Sequence, residues 1–201
     1  MISNKNKYCL SLTGAGTYRA EALEAARAYL ECQNWREVRH RIVDEDLLSL
    51  NSEGNRKRIG GEVIKRLKTL TLEETAFFVS SVDDDQLAML WVAFCRTYPI
   101  LRSFSSGVLS VRYRDMIPDV PKETYRAFVE DEEYDHPELA ALTESSQKKI
   151  EIRIYGMLRD CRLIGAGFNI TPLYPSEAFA ELIRANSPED LLLFPKVGAL
   201  L

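Results

Sequence analysis

Three helix starts are written into residues 34–74 of this chain: Asn34 stands three residues before Glu37, Asn51-Ser52 precedes an apolar-periodic run, and Thr71 stands three residues before Glu74. At such a place the Asn, Ser or Thr side chain accepts a hydrogen bond from an unpaired first-turn amide, and the Glu can return the favour to the cap's own N–H. Around these starts apolar residues recur every three or four positions. Ala22, Leu23, Ala26 and Leu30 make one stripe, and Leu87, Leu90, Trp91 and Phe94 another. A chain punctuated this way folds as many short helices, each buried along one face. The spacing predicts helices over 18–32, 34–43, 51–68, 71–80 and 83–98, with Asp83 or Asp84 capping the last. Pro99 then opens a further helix reaching Arg112 or Asp115, because its missing amide would be unpaired there anyway.

MIPDVP (Met116 to Pro121) interrupts the periodicity with two prolines and an aspartate, and is the best candidate boundary. It divides the chain into an N-terminal helical subdomain, 1–116, and a C-terminal one, 117–201. Beyond it the pattern predicts helices at 121–133, 137–142 and 144–162, another from Ser176 to about Ala185, and a short one after Pro188. RLIGAGFNITPL (Arg162 to Leu173) differs, with β-branched residues, two glycines and a proline, and suits a short hairpin or an irregular loop. The fold class is therefore all-α and globular, with at most a short β-hairpin or wing near 162–173.

Little points to an enzyme. The two histidines, His40 and His136, have no cysteine or histidine partner at metal spacing, and no nucleophile elbow or phosphate loop is present. TGAGTYR (Thr13 to Arg19) lacks a third glycine and a preceding strand, and is read as a turn feeding the first helix. Cys9, Cys32, Cys95 and Cys161 are scattered without a CxxC pair, as expected of reduced cytoplasmic thiols. No cofactor or metal is expected. MISNKNKYCLSL has no apolar region of signal length, and the most apolar run, Gln86 to Cys95, is about half what a bilayer crossing requires.

The formal charge of −4 hides a segregation. NSEGNRKRIGGEVIKRLKTL (Asn51 to Leu70) carries six Lys or Arg against two Glu. On a helix Ile59, Val63, Leu67 and Leu70 fall within about 80° of each other, while Lys57, Arg58, Lys65 and Lys68 lie across the opposite side with Gly61 among them. Two interior glycines cost roughly 2 kcal/mol relative to alanine. Gly60, beside the apolar stripe, would let a neighbouring helix approach. Gly61 would let a phosphate backbone do so. Preceded by a capped helix and an apolar connector, this is a helix-turn-helix-like unit, in which the second helix enters the major groove. Ser52, Asn55 and Lys57 would face base edges, with Arg58, Lys65 and Lys68 on phosphates; Arg66 lies near the apolar stripe and would have to snorkel outward. Against this, Glu62 lies four residues from both Arg58 and Arg66 and could turn part of the charge into a salt-bridged solvent face.

A second unit repeats the arrangement. After a short helix at 137–142, Thr143 caps TESSQKKIEIRIYGMLRD, whose apolar stripe is Ile150, Ile154, Met157, Leu158 and Cys161. Lys149, Arg153 and Gly156 share another face, with Gln147 and Lys148 in the first turn. The acidic run EDEEYDHPE (Glu130 to Glu138) reads either as a solvated helix end or as a docking face for a basic partner.

At AYLECQNWREVRHRIVDEDLL, at KRLKTLTLEE, at LWVAFCRTYPILRSF, and again at HPELAALTESSQKKI and YGMLRDCRLI, the chain resembles the BrxA family. These are the small core proteins of type 1 BREX bacteriophage-exclusion systems. The resemblance implies an all-helical cytoplasmic protein that binds double-stranded DNA through helix-turn-helix units, beside methyltransferase and ATPase components. It carries no residue-level site map. The expectation is a non-enzymatic DNA-binding protein, a monomer outside its complex. An RNA binder using the same faces and a protein-interaction adaptor stand as rivals.

Overall fold

The computed structural model describes Tyr8, Leu10, Leu12 and residues 16–195; Cys9 and the Thr13–Ala15 half of TGAGTYR lie outside the described residues. Among these residues the chain is all-helical, with no β-strand. In chain order the helices are α1 (Arg19–Cys32), α2 (Trp35–Val43), α3 (Glu53–Leu67), α4 (Leu72–Ser80), α5 (Asp83–Thr97) and α6 (Pro99–Phe104). A π-turn, Ser105–Leu109, joins α6 to α7 (Ser110–Arg114). Then come α8 (Lys122–Glu132), α9 (Pro137–Ala140), α10 (Glu144–Asp160), α11 (Glu177–Asn186) and a 3-10 turn, Pro188–Leu193.

Side-chain caps mark the starts of α2, α3, α4, α10 and α11. Thr71 Oγ1 accepts from the Glu74 amide at 3.1 Å while Glu74 Oε2 accepts from the Thr71 amide at 2.8 Å, a closed capping box. Ser52 and Thr143 likewise accept from the third amide of α3 and α10. Two expected caps take another form. Asn34 accepts from the Arg36 amide at 3.0 Å, but Glu37 does not return the bond and holds Arg41 at 3.2 Å instead. Neither Asp83 nor Asp84 caps α5, whose N-cap is Val82 with no side-chain bond. Asp84 and Asp85 accept from the Tyr174 and Ser176 amides at 3.1 and 2.7 Å, and so tie the entry of α11 to the start of α5.

Helix α5 is buried on every side from Gln86 to Cys95, as expected where a helix runs through the middle of a core. One hydrophobic cluster around it includes residues from both sides of Met116–Pro121, among them Ile42, Val63, Phe78, Tyr155, Phe179 and Phe194. The π-turn has a local cause. Ser105 is buried and its hydroxyl accepts from Trp91 Nε1 at 3.0 Å and donates to the Leu193 carbonyl at 2.8 Å, so the widened turn pins the C-terminal 3-10 segment to α5.

Residues 162–173 form no strand. They fold back through isolated bridges, Ile164 with Ile170 and Asp119 with Asn169, around a 3-10 turn at Ala166–Phe168. The bonds from Val120 N–H to the Phe168 carbonyl (2.9 Å) and from Ile170 N–H to the Pro118 carbonyl (2.8 Å) fasten this loop to the proline-bearing segment. Cys95 and Cys161 are buried, and burial pushes both thiols up, away from the reactive thiolate.

The two adjacent glycines have separate explanations. A Cβ on Gly60 would stand 2.5 Å from Ile42 Cγ2, so α2 and α3 pack through the missing side chain. A Cβ on Gly61 would meet nothing nearer than Arg39 Nη1 at 3.8 Å. Gly60→Ala is accordingly expected to destabilise the protein by about 1–3 kcal/mol through overpacking. Gly61→Ala should stabilise it by up to about 1 kcal/mol through helix propensity. Urea denaturation of the two variants reads the opposite signs, and equal effects would remove the close-packing account.

Candidate nucleic-acid interface

Helix α3 buries Ile59, Gly60, Val63, Ile64 and Leu67 against the core and turns Lys57, Arg58, Lys65 and Lys68 to solvent. The sequence-predicted cations of this helix therefore share its outer side, with one exception. Arg66 is only 2% exposed and lies inside. Its guanidinium sits 4.6 Å from the Phe94 ring centroid, donates to the Gly16 carbonyl at 2.7 Å, and stands 3.2 Å from Glu62. Seven residues after Ile59, Arg66 points in nearly the same direction, and the aromatic surroundings of Phe94 and Tyr98 leave it no route outward. Its expected snorkelling is corrected by this burial, which lowers the guanidinium's pKa from the ordinary arginine value, with Glu62 opposing the shift.

That inward pair changes the charge balance. Glu62 stands against Arg66, and among the described residues it makes no ion pair with Arg58, the other partner the sequence offered it. The remaining acid, Glu53, pairs with Lys57 on the first turn, and Lys57 holds its carboxyl below the usual range. Both side chains are more than half exposed, so the pair is weak and open to exchange for a phosphate. Ser52 is exposed but its hydroxyl accepts from the Asn55 amide at 3.2 Å, a structural duty. Asn55 Oδ1 accepts from Arg58 Nη2 at 3.3 Å, and the residue is partly exposed. Lys65 reaches over the Tyr98 ring at 4.7 Å.

Arg39, which the sequence reading missed, joins this surface. It is exposed on α2, and its Nη1 lies beside Gly61. Nothing in the sequence places α2 against that particular residue of α3; only the Ile42–Gly60 contact does.

Helix α10 is built to the same plan. Ile150, Ile154, Tyr155, Met157 and Leu158 face the core, and Lys148, Lys149, Arg153 and Arg159 are exposed. Gly156 falls among them in angle, and a Cβ there would meet nothing within 4 Å. Lys149 and Arg153 rim a groove of about 280 Å³ floored by Leu10, Leu12, Leu142 and Ile150. Gln147 and Lys148 instead line a neighbouring groove toward α8, so they flank the Lys149–Arg153 face. Arg159, absent from the sequence-predicted set, stacks over Phe168 at 5.3 Å and ties the helix to the 162–173 loop.

The short segment entering α1 links the two cationic helices near their C-terminal ends. Gly16 accepts from Arg66 of α3, and Thr17 bonds Asp160 of α10. His136 is satisfied within the fold: its ring stacks on Tyr8 at 3.7 Å, with Glu138 at 3.3 Å and Glu132 at 3.7 Å. His40 is exposed and held by Asp44 at 2.7 Å, which raises its pKa from the usual histidine value. No described helix is long and apolar enough to cross a membrane.

Comparison with known proteins follows the same outline. The BrxA family model matches residues 6–187. A curated relative named BREX protein BrxA, from Escherichia coli O9:H4 (strain HS), is 25% identical over 204 residues, spanning all of this chain and 87% of its own length. A crystal structure of an uncharacterized protein from Magnetospirillum magneticum superposes with a TM-score of 0.81 at 19% identity, covering 95% of this chain and 99% of that one. At that identity the likeness is one of fold.

Proposed function

The chain belongs to the BrxA family, and on that premise we propose that it is a non-enzymatic, double-stranded-DNA-binding component of a BREX phage-defence system. Its elements α2–α3 and α9–α10 act as helix-turn-helix-like units, one in each subdomain, with α3 and α10 as the helices laid against the duplex. It works in the cytoplasm as a monomer that joins methyltransferase and ATPase partners.

One observation carries this reading. Two separate helices are buried on their apolar sides, and each presents a cationic outer half with a glycine among the charges. Lys57, Arg58 and Lys65 lie within about a turn of Gly61, beside Arg39, with Lys68 a turn further on; Arg153 and Arg159 lie within a turn of Gly156, with Lys149 two turns before it. Gly156 has open space beside it, and a side chain at Gly61 would meet only the Arg39 guanidinium, so neither glycine is demanded by core packing. They lower the helix surface where a sugar–phosphate chain would press, while the flanking cations meet its charge. Asn55 and Lys57 suit base edges at the N-terminal end of α3, and Ser52 serves chiefly to cap it. Most of the affinity comes from phosphates, so sequence preference is modest.

The test is a binding curve on random-sequence duplex at several salt concentrations. Engagement of about five to eight phosphates gives a logarithmic salt slope near −5 to −7. A slope close to zero would overturn the reading. Competition between duplex DNA and an A-form RNA duplex of equal length separates the RNA alternative, because the deep, narrow A-form major groove excludes a helix.

A further inference from the structure

A second surface lies around the corner from the cationic faces and has the opposite character. Between α8 and the α9–α10 corner runs a groove of about 590 Å³. Its floor is apolar: Tyr125, Val129, Leu139, Leu142 and Ile150. Glu130, Glu133 and Glu144 stand on its rim. The other acid within it, Glu151, is 4% exposed and already neutralised, by Arg126 at 2.9 Å and Lys122 at 3.3 Å. Arg126 pairs with Glu151 and Glu123, and among the described lining residues the only other cation is Lys148, against the carboxylates of Glu130, Glu133 and Glu144. Tyr134, next in the chain after Glu133, is 93% exposed, an aromatic left in water at the end of α8.

We propose that this groove receives a lysine- or arginine-bearing amphipathic segment of a partner protein. The geometry supplies each part of such a recognition. An apolar floor takes the aliphatic face of a helix or the stems of long cationic side chains. The three rim carboxylates meet their charged ends. Duplex DNA is repelled from the same rim, so the groove and the glycine-centred faces sort two kinds of partner by charge. The inference goes beyond the DNA-binding reading and does not depend on it. Because Lys148 borders both surfaces, a partner seated in the groove would stand beside bound DNA.

The probe is a labelled synthetic peptide of about five helical turns, with Leu on one face and Lys on the other, titrated into the full chain by fluorescence anisotropy. A scrambled peptide of identical composition serves as its control. Glu130→Lys with Glu133→Lys should weaken binding of the amphipathic peptide at least about tenfold, since like charges then face each other at the rim. Glu73→Lys with Glu177→Lys, on exposed positions of α4 and α11, should leave it unchanged, and duplex retention should not fall in either variant. Glu130→Gln with Glu133→Gln removes charge without adding any and should give an intermediate loss. Equal losses in the groove and remote variants, or equal binding of the scrambled peptide, would reduce the effect to general charge attraction and overturn the proposal.

Discussion

Lys149→Glu combined with Arg153→Glu is expected to weaken duplex binding by about a hundredfold near physiological salt, as is Lys57→Glu combined with Arg58→Glu. On the proposed reading the first pair would lose two phosphate contacts and the second one phosphate and one base-edge contact, each replaced by repulsion. The logarithmic salt slope should fall by about two in the first variant and about one in the second, at roughly 0.9 per phosphate lost. All four side chains are exposed, so the fold should survive. Lys57 differs slightly, because its reversal also ends an exposed pair with Glu53, of small consequence for stability. Arg66→Met is the informative control. The buried guanidinium should contribute nothing to the salt slope, whatever its removal does to stability. Gel retardation across a salt series, with circular dichroism to confirm folding, reads both quantities. Unchanged retardation in both double variants would remove the two faces from the account.

Arg96→Met should be strongly destabilising, by about 3–5 kcal/mol, since it strands the wholly buried Glu74 carboxylate, while Asp190 keeps its bond from Arg102. Arg96 bonds Glu74 through two nitrogens at 2.6 and 2.8 Å, Asp190 at 2.7 Å and the Thr69 carbonyl at 2.8 Å. Glu74 is wholly buried and Asp190 is 1% exposed. The arginine thus fastens the α4 capping box and the C-terminal 3-10 turn to α5. Burial acting alone would push the Glu74 carboxyl up, but the Arg96 bonds and the Thr71 amide outweigh it and hold the group below the usual carboxylate range. A depressed folded pKa stabilises above the unfolded value near 4.3, and that contribution is lost as pH falls through the folded value. Wild-type stability should therefore rise from acid toward pH 6. In Arg96→Met the burial effect prevails, the Glu74 pKa moves up, and the rise should flatten or reverse. Urea unfolding at pH 3 to 7, followed by tryptophan fluorescence, tests this. A parallel pH profile in both proteins would sink the linkage.

Much of the architecture was legible from residue spacing alone. The Thr71–Glu74 box, the Ser52 and Thr143 caps and the Pro99 start are local effects, each settled within one turn of chain, and they appear where the periodicity places them. The departures occur where a side chain found a better partner than the cap. Glu37 pairs with Arg41 one turn along its own helix, and Asp84 and Asp85 reach the entry of α11, ninety residues on. Residues 162–173 have β-branched content but no adjoining strand to pair with, and so form bridges to the 118–120 segment.

The candidate site divides along the same line. That α3 and α10 are amphipathic, capped and cationic was determined by the order of residues, because the direction of a side chain on a helix follows from its position. Which cations reach water was decided by tertiary packing. Arg66 turned inward among aromatic rings, with Glu62 beside it rather than beside Arg58. Gly60 let α2 come close, and that approach brought Arg39 beside Gly61. A helix's own faces can be counted from its sequence, but what those faces meet depends on neighbours that only the folded core brings together.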